Sequence, residues 1–539
     1  MVGRPAEVEL KLGVTPEDIA ALRSYRPFTN ALHNPTHETL DSVYFDSDER
    51  FLRDHGLTLR VRHVEDRRIQ TIKSADHGVG LFERSEWEQA IDGDQPDLSK
   101  VTDTALGEIL TDEVRKALKP VFETRIERTA YHLNGDGADI VVAIDEGQIV
   151  SPDSSRPVSE IELELRHGNP ADLFRVARDI LNIVPAHLEF KSKPERGYEL
   201  VEKTNVAAET ASDPELFAGM SAGRAFTVVG RACLRHLVAN VPATLVRDGT
   251  ALHQMRVALR RLRAAMSLFT PLASDDRIEA IKTELRWLAQ ELGPARDLDT
   301  LILEVIKPLQ QQHKGEPGLA SISKMFARKR LKCYRRAAAA LQSARFRTLV
   351  LDTAEWVEAG PWSTSEDALK RAYREMPIET YAAEQLSHRR KQVRRRGKKM
   401  AELDPEQLHR LRIQVKKARY ATDFFASLYQ GKKSAKQCKK VRSSLMQLQN
   451  FLGKLNDIVT HKALFSKIIS DRGKGLTEEL SRHRAFAAGL VIGDQQAQTE
   501  RLLDRARKAY SRFDTAKAFW KSPSRGHASE RAETADGAP

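Results

Sequence analysis

Glu160-Ile161-Glu162-Leu163-Glu164, taken with Glu7-Val8-Glu9-Leu10-Lys11 near the start of the chain, decides the fold of the first 200 residues. Side chains of a β-strand alternate between its two faces. Glu160, Glu162 and Glu164 therefore share a face opposite Ile161 and Leu163, and Glu7, Glu9 and Lys11 share a face opposite Val8 and Leu10. Five carboxylates on such stripes repel one another unless positive charge lies between them, and hard divalent cations with phosphate commonly supply it. The parity continues: Arg60 pairs in phase with Arg62, Thr71 with Lys73, and Arg84 with Glu86 and Glu88, while Asp145 follows the apolar run Ile140 to Ile144. A solvated face on an amphipathic antiparallel sheet is the ordinary cause of charged stripes. Here acids gather on some strands and bases on others, which a closed barrel with a charged lumen would also explain.

In series, the Glu-x-Glu-x-Lys opening, Arg-x-Arg, Thr-x-Lys, Arg-x-Glu-x-Glu, Asp145-Glu146-Gly147, Glu-x-Glu-x-Glu and Ser192-Lys193-Pro194-Glu195-Arg196-Gly197-Tyr198 resemble the CYTH domain, over about residues 4–203. That family, the triphosphate tunnel metalloenzymes, includes inorganic triphosphatases, thiamine triphosphatases and class IV adenylate cyclases. The resemblance implies an antiparallel eight-stranded β tunnel barrel with helices (α+β) that hydrolyses inorganic triphosphate with Mg²⁺ or Mn²⁺. It implies that Lys11, Arg60, Arg62, Lys73, Arg84, Lys193 and Arg196 hold phosphates, and that Glu7, Glu9, Asp145, Glu160, Glu162 and Glu164 hold one or two metal ions. Arg125 and Arg128 are both phosphate candidates. Three residues apart, they cannot both face one side of a regular strand, and Arg128 fits the family's Arg-x-x-aromatic better. Lys11, beside Glu7 and Glu9, is a further candidate for proton acceptor. Thiamine triphosphatase, cyclase and a polyphosphate-binding scaffold without catalysis are the alternatives; no nucleoside pocket is legible, and the acidic positions needed for catalysis are all present.

At 539 residues the chain is long enough for two or three cores. Met1 to Gly13 carries no signal-like pattern, no stretch is apolar enough to span a bilayer, and Cys233, Cys333 and Cys438 lack metal or disulfide spacing. A cytoplasmic protein is expected. Residues 1–203 hold 26 Lys+Arg against 39 Asp+Glu, a balance of −13, whereas 204–539 balance at +25. An acidic half joined to a strongly basic half points to a polyanionic partner for the second. The expected organisation is a first domain at 1–203, a linker at 204–216, a helical domain at 217–520 and a disordered tail at 521–539. Gly and Pro clusters, among them Gly293-Pro294 and Gly473 to Gly475, are expected to punctuate the helices.

The helical half repeats internally. Leu252 to Arg263 (LHQMRVALRRLR) is matched 156 residues on by Leu408 to Arg419 (LHRLRIQVKKAR), and Leu292 to Asp297 is matched by Leu452 to Asp457. Similar offsets indicate a duplicated helical bundle, with repeats at about 217–375 and 376–520. Spacings of 3, 4 and 3 put His253, Arg256, Arg260 and Arg263 on one helical stripe, and His409, Arg412, Lys416 and Arg419 on its counterpart. A solvated basic face would account for one such stripe; two with a His at the head favour an anion groove between the repeats. Asp297 and Asp457 either orient these bases or cap the following helices. The motif, with Tyr420 after Arg419, resembles the CHAD domain, an all-α family associated with binding inorganic polyphosphate. One departure is Ala264 in the place of Tyr420. Nucleic acid is the rival ligand, but few aromatics interleave with the bases and no helix-turn-helix or zinc spacing appears. It is expected to bind only non-specifically.

Overall fold

A computed structural model describes residues 7–23, 34–74, 81–84, 86–135, 137–470 and 477–521. The expected tail therefore lies almost wholly outside the described residues, as do Gly473 to Gly475. The chain divides into two compact units. One comprises 1–208 with 238–243 and 341–361; the other comprises 209–237, 244–340 and 362–539.

The first unit is built on one antiparallel sheet of β1 (Glu7–Gly13), β2 (Thr36–Asp46), β3 (Leu57–Val64), β4 (Arg67–Ser74), β5 (Leu81–Arg84), β6 (Glu86–Ile91), β7 (Lys119–Gly135), β8 (Ala138–Val150), β9 (Ser155–His167) and β10 (His187–Leu188). Their order is β10-β1-β9-β8-β7-β2-β3-β4-β6, with β5 on β1. This corrects the expected closed eight-stranded barrel: among the described residues nine strands form an open path and a tenth pairs with β1 off it. Among the described residues the ladder to β4 falls on β6 and the ladder to β1 on β5, so the path from β10 to β6 does not close.

Apolar parity sets the register. Leu10, Leu12, Ile161 and Leu163 are buried on the outer side of β1 and β9. Helix Pro170–Ile183 buries Leu173, Phe174, Ala177 and Ile180 and packs on these two strands. Each of these Leu, Ile and Phe side chains contributes about 1.5–3 kcal/mol when buried. A one-residue slip would exchange them for carboxylates, so the charged face is fixed by the packing opposite. Helix Ala344–Ala359 packs against helix Pro170–Ile183 within the same unit, where Arg178 pairs with Asp352 and Glu355. Helix Lys193–Val201 starts in a capping box of Ser192 and Glu195. It is pinned by Tyr198, whose ring meets Phe122 edge-on at 5.3 Å and whose hydroxyl donates to Asp46 at 2.8 Å.

The second unit is helical, as the change of period from 2 to 3–4 predicts. Its long helices include Gly249–Leu268, Asp276–Thr300, Pro317–Gln342, Ile378–Gly397, Pro405–Phe424, Lys432–Ser470, Glu478–Ala497 and Thr499–Thr515. One core cluster joins Leu298, Ile306, Ile322, Phe326, Phe465 and Val491. Gly293-Pro294 does not interrupt helix Asp276–Thr300, contrary to expectation. A Cβ at Gly293 would stand 2.7 Å from Arg256 Nη1, so the glycine serves the close approach of a guanidinium and not a chain break.

Candidate active site and anion cleft

Pairing across the sheet brings the charged stripes together. Lys11 lies opposite Glu162, Glu160 opposite Asp145, and Asp145 opposite Arg128. Asp145, Glu160 and Glu162 are buried, with one ligand oxygen from each lying within 4.8 Å of the others. Three hard carboxylate donors at this separation fit a small divalent cation such as Mg²⁺ or Mn²⁺.

Four basic groups surround this triad. Arg128 forks onto Asp145 through Nε and Nη2, both at 2.7 Å, and also contacts Glu162. Lys11 bridges Glu162 and Glu9, with Nζ 3.2 Å from the latter. Both contacts are ion pairs across the charged face of the sheet. Lys193, the first residue of its helix, places Nζ 2.6 Å from Asp145, 3.0 Å from Glu162 and in contact with Glu160. Arg196, one turn later and buried, pairs with Glu160. Burial alone would raise the Glu162 carboxyl, but Lys11, Lys193 and Arg128 hold it well below the usual carboxylate range. Asp145 is lowered too: burial opposes, and Lys193 and Arg128 prevail.

The other predicted residues divide by position. Glu164 pairs with Arg166 at 3.0 Å and does not join the triad. Arg125 points to the opposite face, more than half exposed, and pairs with Glu123 at 3.1 Å. The odd spacing from Arg128 makes that unavoidable, so it does not join the site. The side chains of Glu7 and Arg84 lie outside the described residues.

Arg60 and Arg62 share the charged face on β3, opposite Tyr44 and Ser42. Arg62 donates to the Ser42 hydroxyl at 3.1 Å and has no acid within ion-pair distance among the described residues. Burial, Arg60 and Arg128 press its pKa down to about 10. Arg60 stands 3.8 Å from Glu86 and 3.9 Å from Glu88, and Lys73 2.9 Å from Glu86. Burial opposes it, but Arg60 and Arg62 lower the Tyr44 phenol below its ordinary pKa. Tyr44 was missed in the sequence; its only signal is the in-phase alternation Leu40, Ser42, Tyr44. Arg60 and Arg62 on β3 and Lys73 on β4 thus face the same side as the acid triad on β8 and β9.

In the second unit, helices Gly249–Leu268 and Pro405–Phe424 pack against each other and bring the two basic stripes together. Arg260 donates to the Tyr420 hydroxyl of the other repeat at 3.4 Å. Burial, Arg412, Arg260 and Arg263 lower the Lys416 ammonium to about 8. Burial, Arg296, Arg260 and Arg256 push His253 down to about 4. Arg256 meets Asp297 at 3.3 Å, His409 meets Asn456 at 3.0 Å, and Arg419 pairs with Gln449 at 2.9 Å and Asp423 at 3.3 Å. Asp297 and Asp457 lie inside helices, so they orient bases and cap nothing. Arg296 and Asn456 lay within the repeated motif but were not singled out. On helix Ile378–Gly397, Arg389 donates to the Ser267 carbonyl, and Arg390 to the carbonyls of Asp514 and Ala516.

Residues 5–198 match the model of the CYTH domain, and residues 229–466 that of the CHAD domain. An inorganic triphosphatase of Haemophilus influenzae is 30% identical over 200 residues, which are 36% of this chain and 55% of that protein's length. This chain thus spans about half of that relative. The CHAD domain of the plant Ricinus communis shares 26% identity over 57% of this chain and 96% of its own, with a TM-score of 0.47. PptA from Streptomyces chartreusis shares 17% over 54% of this chain and all of its own, with a TM-score of 0.41. The sorted charges of the sheet, the paired basic helices and the two family matches together make this chain a CYTH domain followed by a CHAD domain.

Proposed function

We propose that the first unit hydrolyses inorganic triphosphate with Mg²⁺ or Mn²⁺ and that the second binds inorganic polyphosphate. The observation that carries the first half is the sorting of charge on one sheet face: the triad Asp145, Glu160 and Glu162, and the bases Arg60 and Arg62, the latter with no acid within ion-pair distance among the described residues. The inorganic triphosphatase of H. influenzae supports the same substrate. In this reading Arg60, Arg62 and Lys73 hold the phosphate chain through guanidinium forks and an ammonium. Asp145, Glu160, Glu162 and Glu9 hold the metal, with Glu7 and Glu164 as outlying candidates. When bound, a divalent ion would neutralise phosphate charge and acidify water. Arg128 and Arg196 keep Asp145 and Glu160 in place. Tripolyphosphate aligned by the bases is attacked by water at a terminal phosphorus; the new P–O bond forms as the bridging P–O bond breaks, leaving orthophosphate and pyrophosphate. The test is phosphate release from tripolyphosphate, ATP and thiamine triphosphate with each metal. Preference for tripolyphosphate is expected; preference for thiamine triphosphate, or pyrophosphate with cyclic AMP from ATP, would overturn the substrate assignment.

For the second unit, the supporting observation is the meeting of Arg260, Arg263, Arg412 and Lys416 between the two repeats. Flexible phosphate chains need point charges and no stacking platform. Tighter binding of duplex DNA than of long-chain polyphosphate would reverse this assignment.

A further inference from the structure

Around the triad, ion pairs of the sheet and its helix join four acids to four bases. Glu9, Asp145, Glu160 and Glu162 bring four negative charges, and Lys11, Arg128, Lys193 and Arg196 four positive ones. A divalent cation added to this set leaves an excess of two in a buried place, which is unfavourable unless a resident cation leaves or an anion arrives. The four resident cations are not equally free to leave. Arg128 is fixed by its fork on Asp145, Lys11 rises from β1 between two carboxylates, and Arg196 pairs with Glu160. Lys193 is different. Its ammonium touches all three triad carboxylates, the place a metal ligated by them would take, and it stands at the first position of a helix on a long flexible stem.

We propose that Lys193 is a tethered cation holding the metal position, and that it exchanges with the metal by swinging onto the phosphate chain. The proposal rests on the triphosphatase reading above. It makes metal and phosphate binding mutually dependent: the metal must displace Lys193, and the arriving phosphate gives the displaced ammonium a partner. Reciprocity then requires each ligand to tighten the other by the same factor.

Binding of Mn²⁺ to the full-length protein, followed by the electron paramagnetic resonance of free Mn²⁺, tests this without turnover. Lys193→Met is expected to bind Mn²⁺ at least tenfold more tightly than the unmodified protein when no phosphate is present. A non-hydrolysable imido analogue of tripolyphosphate is expected to tighten Mn²⁺ at least tenfold in the unmodified protein and far less in Lys193→Met. Lys193→Arg, which keeps the charge, should stay near the unmodified Mn²⁺ affinity. Equal or weaker Mn²⁺ binding by Lys193→Met, or no effect of the analogue on the unmodified protein, overturns the proposal. If Lys193→Met and Lys193→Gln fold only with Mn²⁺, the exchange is supported; if neither folds even then, Lys193 is a structural ion-pair partner and the proposal fails. Should these results hold while tripolyphosphate is not hydrolysed, the functional reading falls alone.

Discussion

Arg62 is a cation kept among cations. Burial and the neighbouring Arg60 and Arg128 depress its pKa to about 10, and its recorded partner is a neutral serine hydroxyl. Such a group gains most from an arriving anion, so Arg60→Ala with Arg62→Ala should raise KM for tripolyphosphate at least tenfold and change kcat less. Steady-state kinetics decide it, and an unchanged KM would reassign both residues. Lys416 shows the same physics in the helical unit. Its pKa in the fold, about 8, lies below the ordinary lysine value of about 10.4. The unfolded chain therefore binds more protons between those values, and the cost of the buried charge is full below about pH 8 and gone above about pH 10.4. Lys416→Met should raise the melting temperature at pH 7, lose that gain as pH rises, and weaken polyphosphate binding. Stability exchanged for binding in this way marks a functional residue. Polyphosphate affinity of the unmodified protein should in turn decline as pH passes about 8, and Lys416→Arg should flatten that decline.

Among the elements, helix Lys193–Val201 governs the acid cluster, because it delivers Lys193 and Arg196 from successive turns. Its placement depends on Gly197. A Cβ there would stand 2.3 Å from the Phe122 ring, which is stacked at 4.6 Å on Tyr44 and edge-on to Tyr198. Gly197→Ala should cost about 1–3 kcal/mol through overpacking, seen in denaturant unfolding. It should also lower kcat, because the shifted helix start carries Lys193 and Arg196 away from Glu160. Unchanged stability and activity would mean that the Phe122 ring yields freely.

Across the whole molecule, the proposed reading assigns triphosphate hydrolysis to the acidic sheet unit and polyphosphate binding to the basic helical unit. Arg256→Ala, Arg260→Ala, Arg412→Ala and Lys416→Ala combined should remove most polyphosphate affinity of the full-length protein and leave tripolyphosphate turnover within about twofold. Fluorescence titration with long-chain polyphosphate and a phosphate-release assay measure the two. Affinity should fall steeply with salt, since each phosphate neutralised by a base releases counterions. Full binding by the quadruple variant would reduce the paired stripes to solvated helix faces. Among the described residues, no helix is long and apolar enough to cross a membrane.

Period-two alternation in Glu160 to Glu164 and in Leu59 to Arg62 already determined which side chains share a face, because a strand offers only two. The repeated Leu-His-x-x-Arg motif likewise determined which bases share a helical stripe. What the sequence left open was which charges meet. Glu7, Glu9, Asp145, Glu160, Glu162 and Glu164 are equivalent as letters, yet strand register brought together Asp145, Glu160 and Glu162 and left Glu164 with Arg166. Arg196, expected on phosphate, was committed to Glu160 by a helix whose position depends on aromatic packing with Phe122. Gly293-Pro294 looked like a break and is the bed for Arg256. Tertiary structure decided these outcomes because pairing of buried charges depends on distances of a few ångströms between segments far apart in the chain, which local alternation does not encode.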